Sequence, residues 1–265
     1  SILPPNALEV LNIECDIEKF NSIYTNYSEN EYISATIRYE TKKWKKVKLR
    51  VRGDSSRKLK KKSLKLKFPE TKPFLGKAQA INLNAEWYDK SYLSQYLSSY
   101  LMQENGVICF ESKHCIVNLN GEFFGIYLMI ENVDEDFLTK RGISKKSQIF
   151  KATKDGASCN DPNEVNALWE KKTPKKGSSK EDLKLLIHEL NTLQVEEAYA
   201  FYKQHFDYDQ LLTVVALNIL TGNKSTYYHN YYLLKNSKTD KWTMLPWDMD
   251  KTLHTDLLDL PYSRS

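Results

Sequence analysis

Asn230-Tyr231-Tyr232-Leu233-Leu234-Lys235, followed by Lys241-Trp242-Thr243-Met244-Leu245-Pro246-Trp247-Asp248-Met249-Asp250, is the stretch on which this chain turns. A lone Asn precedes a strand-like apolar run. A polar turn at Asn236-Ser237 leads into a second run, which ends in two carboxylates one residue apart. Runs of this kind on either side of a turn predict a β-hairpin, Tyr228 to Leu234 with Lys241 to Leu245. Mg²⁺ takes hard oxygen ligands, commonly one or two carboxylates, and leaves the rest of its shell to substrate phosphates. Pairing of the two runs brings Asn230, Asp248 and Asp250 to one end of the hairpin as candidate metal ligands. The chain is therefore a candidate phosphoryl-transfer enzyme. A turn with capping carboxylates is the plain structural alternative. An Asp-x-Asp also serves metal-dependent nucleotide-sugar transferases.

Upstream of the hairpin, helical spacing predicts helices over 180–192, 195–204 and 207–222, the last strongly apolar. Residues 153–182 are rich in Lys, Gly, Ser, Asn and Pro, have little periodicity, and are expected to form a flexible insertion. Asp134 opens a short helix towards Lys140. The first half reads mainly as strands: 7–16, 31–39, 44–51, 63–68 and 80–84, with 114–119 and 124–130 joined across Asn120-Gly121. That dipeptide is a strong two-residue hairpin signal. Asp89 or Ser91 is placed to cap a helix running to about Gln103. Its apolar positions Tyr92, Leu93, Tyr96, Leu97, Tyr100 and Leu101 recur at helical spacing. The expected fold is α+β and two-lobed. Residues 1–132 form a β-rich lobe with one helix, and 133–265 a mainly helical lobe with a terminal β-hairpin.

The 265 residues carry a net charge of +5, and most of the excess lies between Lys42 and Lys67. Concentrated positive charge favours polyanions, nucleotide phosphates among them; a solvated sheet face of alternating Lys is the alternative. No apolar run approaches the length of about 18 residues that spans a bilayer. The opening Ser1-Ile2-Leu3-Pro4-Pro5 does not read as a signal peptide, which leaves secretion open. Cys15, Cys109, Cys115 and Cys159 lack CxxC or zinc-finger spacing and are expected as free or buried thiols.

A phosphotransferase needs cations for the nucleotide phosphates, metal ligands, and a group to take the acceptor's proton. Lys61 and Lys62, just before a strand, and Arg52, beside Gly53 in a turn, are the candidate phosphate-binding residues. An Arg offers bidentate contacts to phosphate, and Gly lets backbone approach closely. Glu131, at the end of the apolar run 126–130, is a further candidate beside the nucleotide. His229 and His254 are lone histidines, read as packing or hydrogen-bonding groups.

A series of short motifs runs in order along the chain. It begins with Val51-Arg52-Gly53, Ser55-Ser56-Arg57, Lys61-Lys62-Ser63 and Leu83-Asn84-Ala85-Glu86 with Asp89 and Ser91. It continues with Asn120-Gly121-Glu122, Gly125-Ile126-Tyr127-Leu128 and Glu131 with Val133-Asp134-Glu135. It closes with His229-Asn230-Tyr231 and Pro246-Trp247-Asp248-Met249-Asp250. From about residue 45 to 252 the series resembles the CotH family of spore-coat-type atypical protein kinases.

The resemblance implies a reduced protein-kinase-like fold and ATP- and divalent-metal-dependent phosphorylation of Ser or Thr on proteins. The expected cofactors are ATP and Mg²⁺ or Mn²⁺. Asp248 becomes the metal-binding Asp, which makes it a catalytic candidate, and Asn230 the second metal-side ligand. Lys61 or Lys62, with Arg52, would face the phosphates, and the helix from Asp89 to Gln103 would be the counterpart of the kinase regulatory helix.

Three departures stand out, the first weighing most. Family members carry a catalytic Asp five residues before the metal-side Asn, and here that position is Ser225. The helix has Ser94-Gln95 where the family commonly has Arg-Asn. Relatives also usually continue beyond the position of Asp250. Loss of a general base lowers rates by about 10²–10⁴-fold, so weakened activity is expected, with Asp250 a potential substitute base. The competing expectations are a nucleotide-binding pseudokinase-like module, a nucleotide-sugar transferase, and a basic polyanion-binding domain. Expected partners are a nucleotide and a protein with a Ser or Thr acceptor, with no specific nucleic acid and no membrane span, on a monomer. By the resemblance the location is extracytoplasmic, at a cell surface or spore coat.

Overall fold

The computed structural model describes residues 8–28, 30–177 and 179–253; His254 and the opening Ser1–Pro5 lie outside them. By its contacts the chain divides into two units, Ser1–Tyr92 with Glu111–Asn132, and Leu93–Phe110 with Val133–Ser265.

The first unit is a closed barrel of seven strands. They are β1 (Glu9–Cys15), β2 (Ile33–Tyr39), β3 (Lys42–Arg52), β4 (Ser63–Lys67), β5 (Ala80–Asn84), β6 (Ser112–Leu119) and β7 (Glu122–Glu131). The ring order is β1-β2-β3-β4-β5-β7-β6. Every pairing is antiparallel except the closing one, where β1 runs parallel to β6 with Leu11 opposite Val117. The expected β-rich lobe is thus a barrel with no free sheet edge, because the first strand of the chain pairs with a strand about a hundred residues on. Inward positions alternate along β1, the second half of β3 and β4, as period two demands: Leu11 and Ile13, Leu49 and Val51, and Leu64 and Leu66 are all buried.

Trp44 and Val47 both point inward although three residues apart. A bulge resolves this: Ala35 faces Val47 and Ile37 faces Trp44, so Lys45 and Lys46 share the place opposite Thr36. Lys46 takes φ +57°. Asn120 and Gly121 close the β6–β7 hairpin at φ +51° and +90°, the pair of positive values that a type I′ turn requires. The Asn120 side chain also accepts from Cys15 N and donates to Cys15 O, both at 2.9 Å, tying the turn to the end of β1. A helix absent from the expected set, α1 (Ile17–Thr25), is capped by Asp16 and buries Phe20 and Ile23 against the barrel.

The second unit is built around a four-stranded sheet in the order β11-β10-β8-β9. Its strands are β8 (Gln148–Ala152), β9 (Trp169–Thr173), β10 (Tyr231–Lys235) and β11 (Trp242–Pro246). Its helices are α2 (Ser94–Glu104), α3 (Glu135–Lys140), α4 (Val165–Leu168), α5 (Glu181–Thr192), α6 (Ala198–His205) and α7 (Tyr208–Leu220).

Three expectations need correction. Residues 153–182, expected as a flexible insertion, carry α4 and β9, and β9 pairs antiparallel with β8. β9 escapes notice because Trp-Glu-Lys-Lys-Thr buries only its two ends. The terminal hairpin does not stand alone, since β10 also pairs with β8. Finally, α2 begins at Ser94 rather than at Asp89 or Ser91. Asp89 instead closes a tight turn, accepting from Ser91 N at 2.9 Å while its carbonyl accepts from Tyr92 N at 3.1 Å. Among the described residues no helix is long and apolar enough to cross a membrane, and Cys15, Cys109, Cys115 and Cys159 are free thiols.

Candidate functional site: an oxygen-rich hairpin end and a caged lysine

Within the second unit, the hairpin register pairs Tyr231 with Pro246. Asn230, one residue before β10, and Trp247-Asp248, just after β11, therefore leave the hairpin at the same end. Both candidate ligands sit in the left-handed region, Asn230 at φ +61° and Asp248 at φ +54°, with Tyr227 nearby in the chain at φ +70°. Asn and Asp tolerate this region better than other residues with a Cβ. Such conformations cost roughly 1–3 kcal/mol and persist where surrounding structure over-determines them.

Packing and hydrogen bonds supply that surrounding structure. Trp247 is buried between the Phe110 and Tyr232 rings, at centroid distances of 5.1 and 5.3 Å. Met249 is fully buried, and its N–H donates to Gln95 Oε1 at 3.1 Å. Its carbonyl accepts from Thr252 Oγ1 at 2.7 Å. On the far side, Leu253 N donates to Thr221 O at 2.9 Å.

Ser225 is brought directly to Asn230: the Asn230 Nδ2 donates to Ser225 Oγ at 3.0 Å. With the amide nitrogen directed at Ser225, the amide oxygen is left as the ligand-type atom of Asn230. Ser225 is buried at 1% exposure, and its N–H donates to Asn223 Oδ1 at 3.0 Å. Asn223 in turn donates to Asn218 Oδ1 at 2.9 Å, which anchors the turn to the end of α7. Among the described residues no cluster of three His, Cys, Asp or Glu is found. The candidate ligands Asp248, Asp250 and Asn230 would offer two carboxylates and an amide oxygen, hard donors of the kind that fits Mg²⁺ or Mn²⁺. His229 Nδ1 lies 2.8 Å from Asp155 Oδ1, and its ring packs on Tyr228.

In the barrel, Lys61 precedes β4 and is held in a cage. Its ammonium donates to Ala85 O at 2.9 Å, to Tyr92 Oη at 3.3 Å and to Ile126 O. It also lies over the Tyr92 and Tyr127 rings, 4.5 and 4.4 Å from their centroids. Burial pushes its pKa down to about 8, opposed in part by the carboxylate of Glu86. Gly125 makes room for the cage: a Cβ there would stand 3.3 Å from Lys61 Cε.

Lys62 points elsewhere. It is buried, and its ammonium donates to Arg57 O at 2.6 Å and Leu59 O at 2.7 Å, knitting together the turn between β3 and β4. Arg52, the last residue of β3, donates to Asn84 Oδ1. Glu131, the last residue of β7, accepts from Glu111 N at 3.1 Å and returns its own N–H to Glu111 O at 2.9 Å.

The residues that sequence reasoning missed are the polar ones that hold these groups, Ser98, Thr252, Asn218 and Asn223, while Gln95 was noted only as a departure from the family's Arg-Asn. One signal was present. In α2 the polar residues Ser94, Gln95, Ser98 and Ser99 form a stripe of their own beside the apolar one, and it is the polar stripe that is buried. A groove of about 440 Å³ against α5, lined by Pro162, Asp182, Leu185 and His188 among others, holds none of the candidate residues.

The family model described as CotH kinase protein matches residues 49–257, a span that contains every candidate residue from Arg52 to Asp250. Inner spore coat protein H of Bacillus subtilis (strain 168) is 31% identical over 221 residues, covering 80% of this chain and 60% of the relative's own length. The crystal structure of the Helicobacter pylori proinflammatory kinase CtkA matches 72% of this chain and 55% of its own, with 14% identity and a TM-score of 0.36. The length and identity of the first two matches settle kinship: the chain belongs to the CotH kinase protein family.

Proposed function

We propose that this chain is an ATP- and divalent-cation-dependent protein kinase acting on Ser or Thr, slowed because Ser225 stands in place of a carboxylate base. The observation that carries the proposal is the convergence at the hairpin end. The Tyr231–Pro246 register sets Asn230 and Asp248 at one end of the hairpin, and the Asn230 amide contacts Ser225 at 3.0 Å. Asn230 and Asp248, with Asp250, would hold the cation, which supplies charge neutralisation for the transferring phosphate. Lys61 and Arg52 would be the phosphate cations, Lys61 reaching a phosphate by giving up one of its bonds to Ala85 O, Tyr92 Oη or Ile126 O. Lys62 supports the turn before β4 that presents Lys61, and Glu131 would orient the nucleotide.

Phosphoryl transfer depends mainly on positioning and charge stabilisation, so turnover survives loss of the base at a reduced rate. Ser225 has no carboxylate to orient an acceptor hydroxyl, and its own hydroxyl is engaged by Asn230. That engagement, together with its burial at 1% exposure, favours a second reading, a nucleotide-binding module without turnover. The name of the Bacillus subtilis relative supports association with a spore coat.

Transfer of labelled phosphate from ATP to a casein-like acceptor, with Mg²⁺ and with chelator, separates the two. Slow, chelator-sensitive incorporation at Ser or Thr supports the kinase. Nucleotide-induced thermal stabilisation without incorporation supports the binding module. Absence of both refutes the assignment.

A further inference from the structure

We propose that Gln95, together with the Ser98–Thr252 pair, is the device that positions the cation-binding segment Asp248–Asp250; this rests on the role just assigned to those carboxylates. The evidence lies in how Met249, the residue between them, is held. Its N–H is taken by the Gln95 side-chain oxygen at 3.1 Å, across 154 residues of sequence. Its carbonyl is taken by the Thr252 hydroxyl at 2.7 Å. That hydroxyl has one hydrogen, so the 2.7 Å contact between Ser98 Oγ and Thr252 Oγ1 is satisfied by Ser98 donating. Both backbone groups of Met249 are thus fixed, one directly and one through Thr252, by side chains of α2.

The burial pattern argues that this is more than packing. α2 presents Leu97 and Tyr100 outward at 38% and 49% exposure, while Gln95, Ser98 and Thr252 are at 1% or less. Placing a helix with its polar face inward forgoes the apolar burial it could have made, and a buried polar group is tolerated only when it is hydrogen-bonded. Here the bonds go to the backbone between the two carboxylates. They also bear on a strained position: Asp248, at φ +54°, needs its neighbours fixed to stay in that conformation. Gln95 touches no reacting atom in this scheme. It is a positioning residue, acting through the Met249 peptide on where the Asp248 and Asp250 oxygens point.

The test titrates Mn²⁺ into the full chain and follows the free ion by electron paramagnetic resonance. The wild type is compared with Gln95→Ala, Gln95→Glu, Ser98→Ala and Asp248→Ala, each checked for folding by circular dichroism. Loss of one such buried bond is expected to weaken Mn²⁺ binding about tenfold in Gln95→Ala, with a smaller loss in Ser98→Ala. Gln95→Glu keeps an acceptor for the Met249 N–H and is expected to stay within about threefold of wild type. A generic packing role is separated by Gln95→Met, which keeps the side-chain volume but lacks the acceptor and is expected to lose about as much Mn²⁺ affinity as Gln95→Ala.

Hydrogen exchange at the Met249 amide gives a second readout and should accelerate in Gln95→Ala. Should Gln95→Ala fail to fold, Ser98→Ala and Gln95→Glu carry the comparison. Wild-type affinity in a folded Gln95→Ala, while Asp248→Ala loses binding, overturns the positioning role alone. Equal losses in Gln95→Glu and Gln95→Ala overturn it as well. An Asp248→Ala variant that binds Mn²⁺ like wild type removes the cation site itself, and this inference with it.

Discussion

The charged groups of the barrel and those of the hairpin end are held in opposite ways. Lys61 and Lys62 give their donors to backbone carbonyls and lie over tyrosine rings. At the hairpin end the backbone itself is bent into the left-handed region at Asn230 and Asp248, and side-chain amides and hydroxyls hold the backbone of nearby Met249 and Ser225. In the first region backbone satisfies side chains, and in the second side chains satisfy backbone. The difference teaches where to look for chemistry. A cation whose donors are met by carbonyls stabilises its own neighbourhood first, whereas strained carboxylate and amide positions held by a dedicated polar network are candidates for binding.

The largest effect that would break the comparison lies in the barrel. Trp44 is buried at 2% exposure, packs on Phe68 and Phe74, and donates to Pro73 O at 3.2 Å. Trp44→Ala should cost about 3–5 kcal/mol in a denaturant titration, with Met249 amide exchange in the second unit changed far less. Equal collapse of both signals would mean that the barrel and the hairpin end do not behave as separable regions.

Next comes Ser225→Asp. A carboxylate there can still accept from the Asn230 amide, and it restores the absent base. Labelled-phosphate transfer should rise about 10²-fold, the low end of general-base contributions because the position is buried. An unaltered rate would mean that the turn containing Ser225 is not the catalytic loop.

Smaller still is the effect of pH on Lys61. With its pKa near 8, the side chain is mostly charged at pH 7 and mostly neutral at pH 9. ATP affinity should therefore fall about tenfold across that interval, and Lys61→Met should flatten the profile. The folding linkage has the opposite sign. The folded chain binds fewer protons at Lys61 than the unfolded chain between about 8 and the ordinary 10.5, so this group's contribution to stability rises with pH through that window. A pH-independent ATP affinity in the wild type would remove Lys61 from the phosphate role.

Much of the strand content was legible because period-two alternation is a local signal. The β3 run from Trp44 to Val51 and the strict alternation of β4 are examples, and Asn120-Gly121 announced its turn by chemistry alone. Closure of the barrel was not legible, since the parallel β1–β6 pairing joins segments about a hundred residues apart and leaves no local pattern. α1 was missed although Asp16 supplied a cap and Phe20 and Ile23 a buried stripe. The instructive case is α2. The apolar positions Leu93, just before it, and Leu97 and Tyr100 within it read as a core face, yet these residues are exposed, and the buried face is polar apart from Met102. Hydrophobic periodicity finds a helix but misassigns its face when the neighbour to be contacted is backbone rather than core. At the candidate site, the resemblance singled out Asn230 and Ser225, but their contact and the network around Asn218, Asn223 and Gln95 required the fold.

The most direct test of the cation assignment is the melting temperature of the full chain with ATP, in Mg²⁺ and in chelator, for wild type and Asp248→Ala. A ligand at a hundred times its Kd stabilises by about 2.7 kcal/mol. The wild type is expected to show a clear Mg²⁺-dependent rise that Asp248→Ala lacks while remaining folded. The same Mg²⁺-dependent rise in both proteins would contradict the assignment of Asp248 as the ligand that holds the cation.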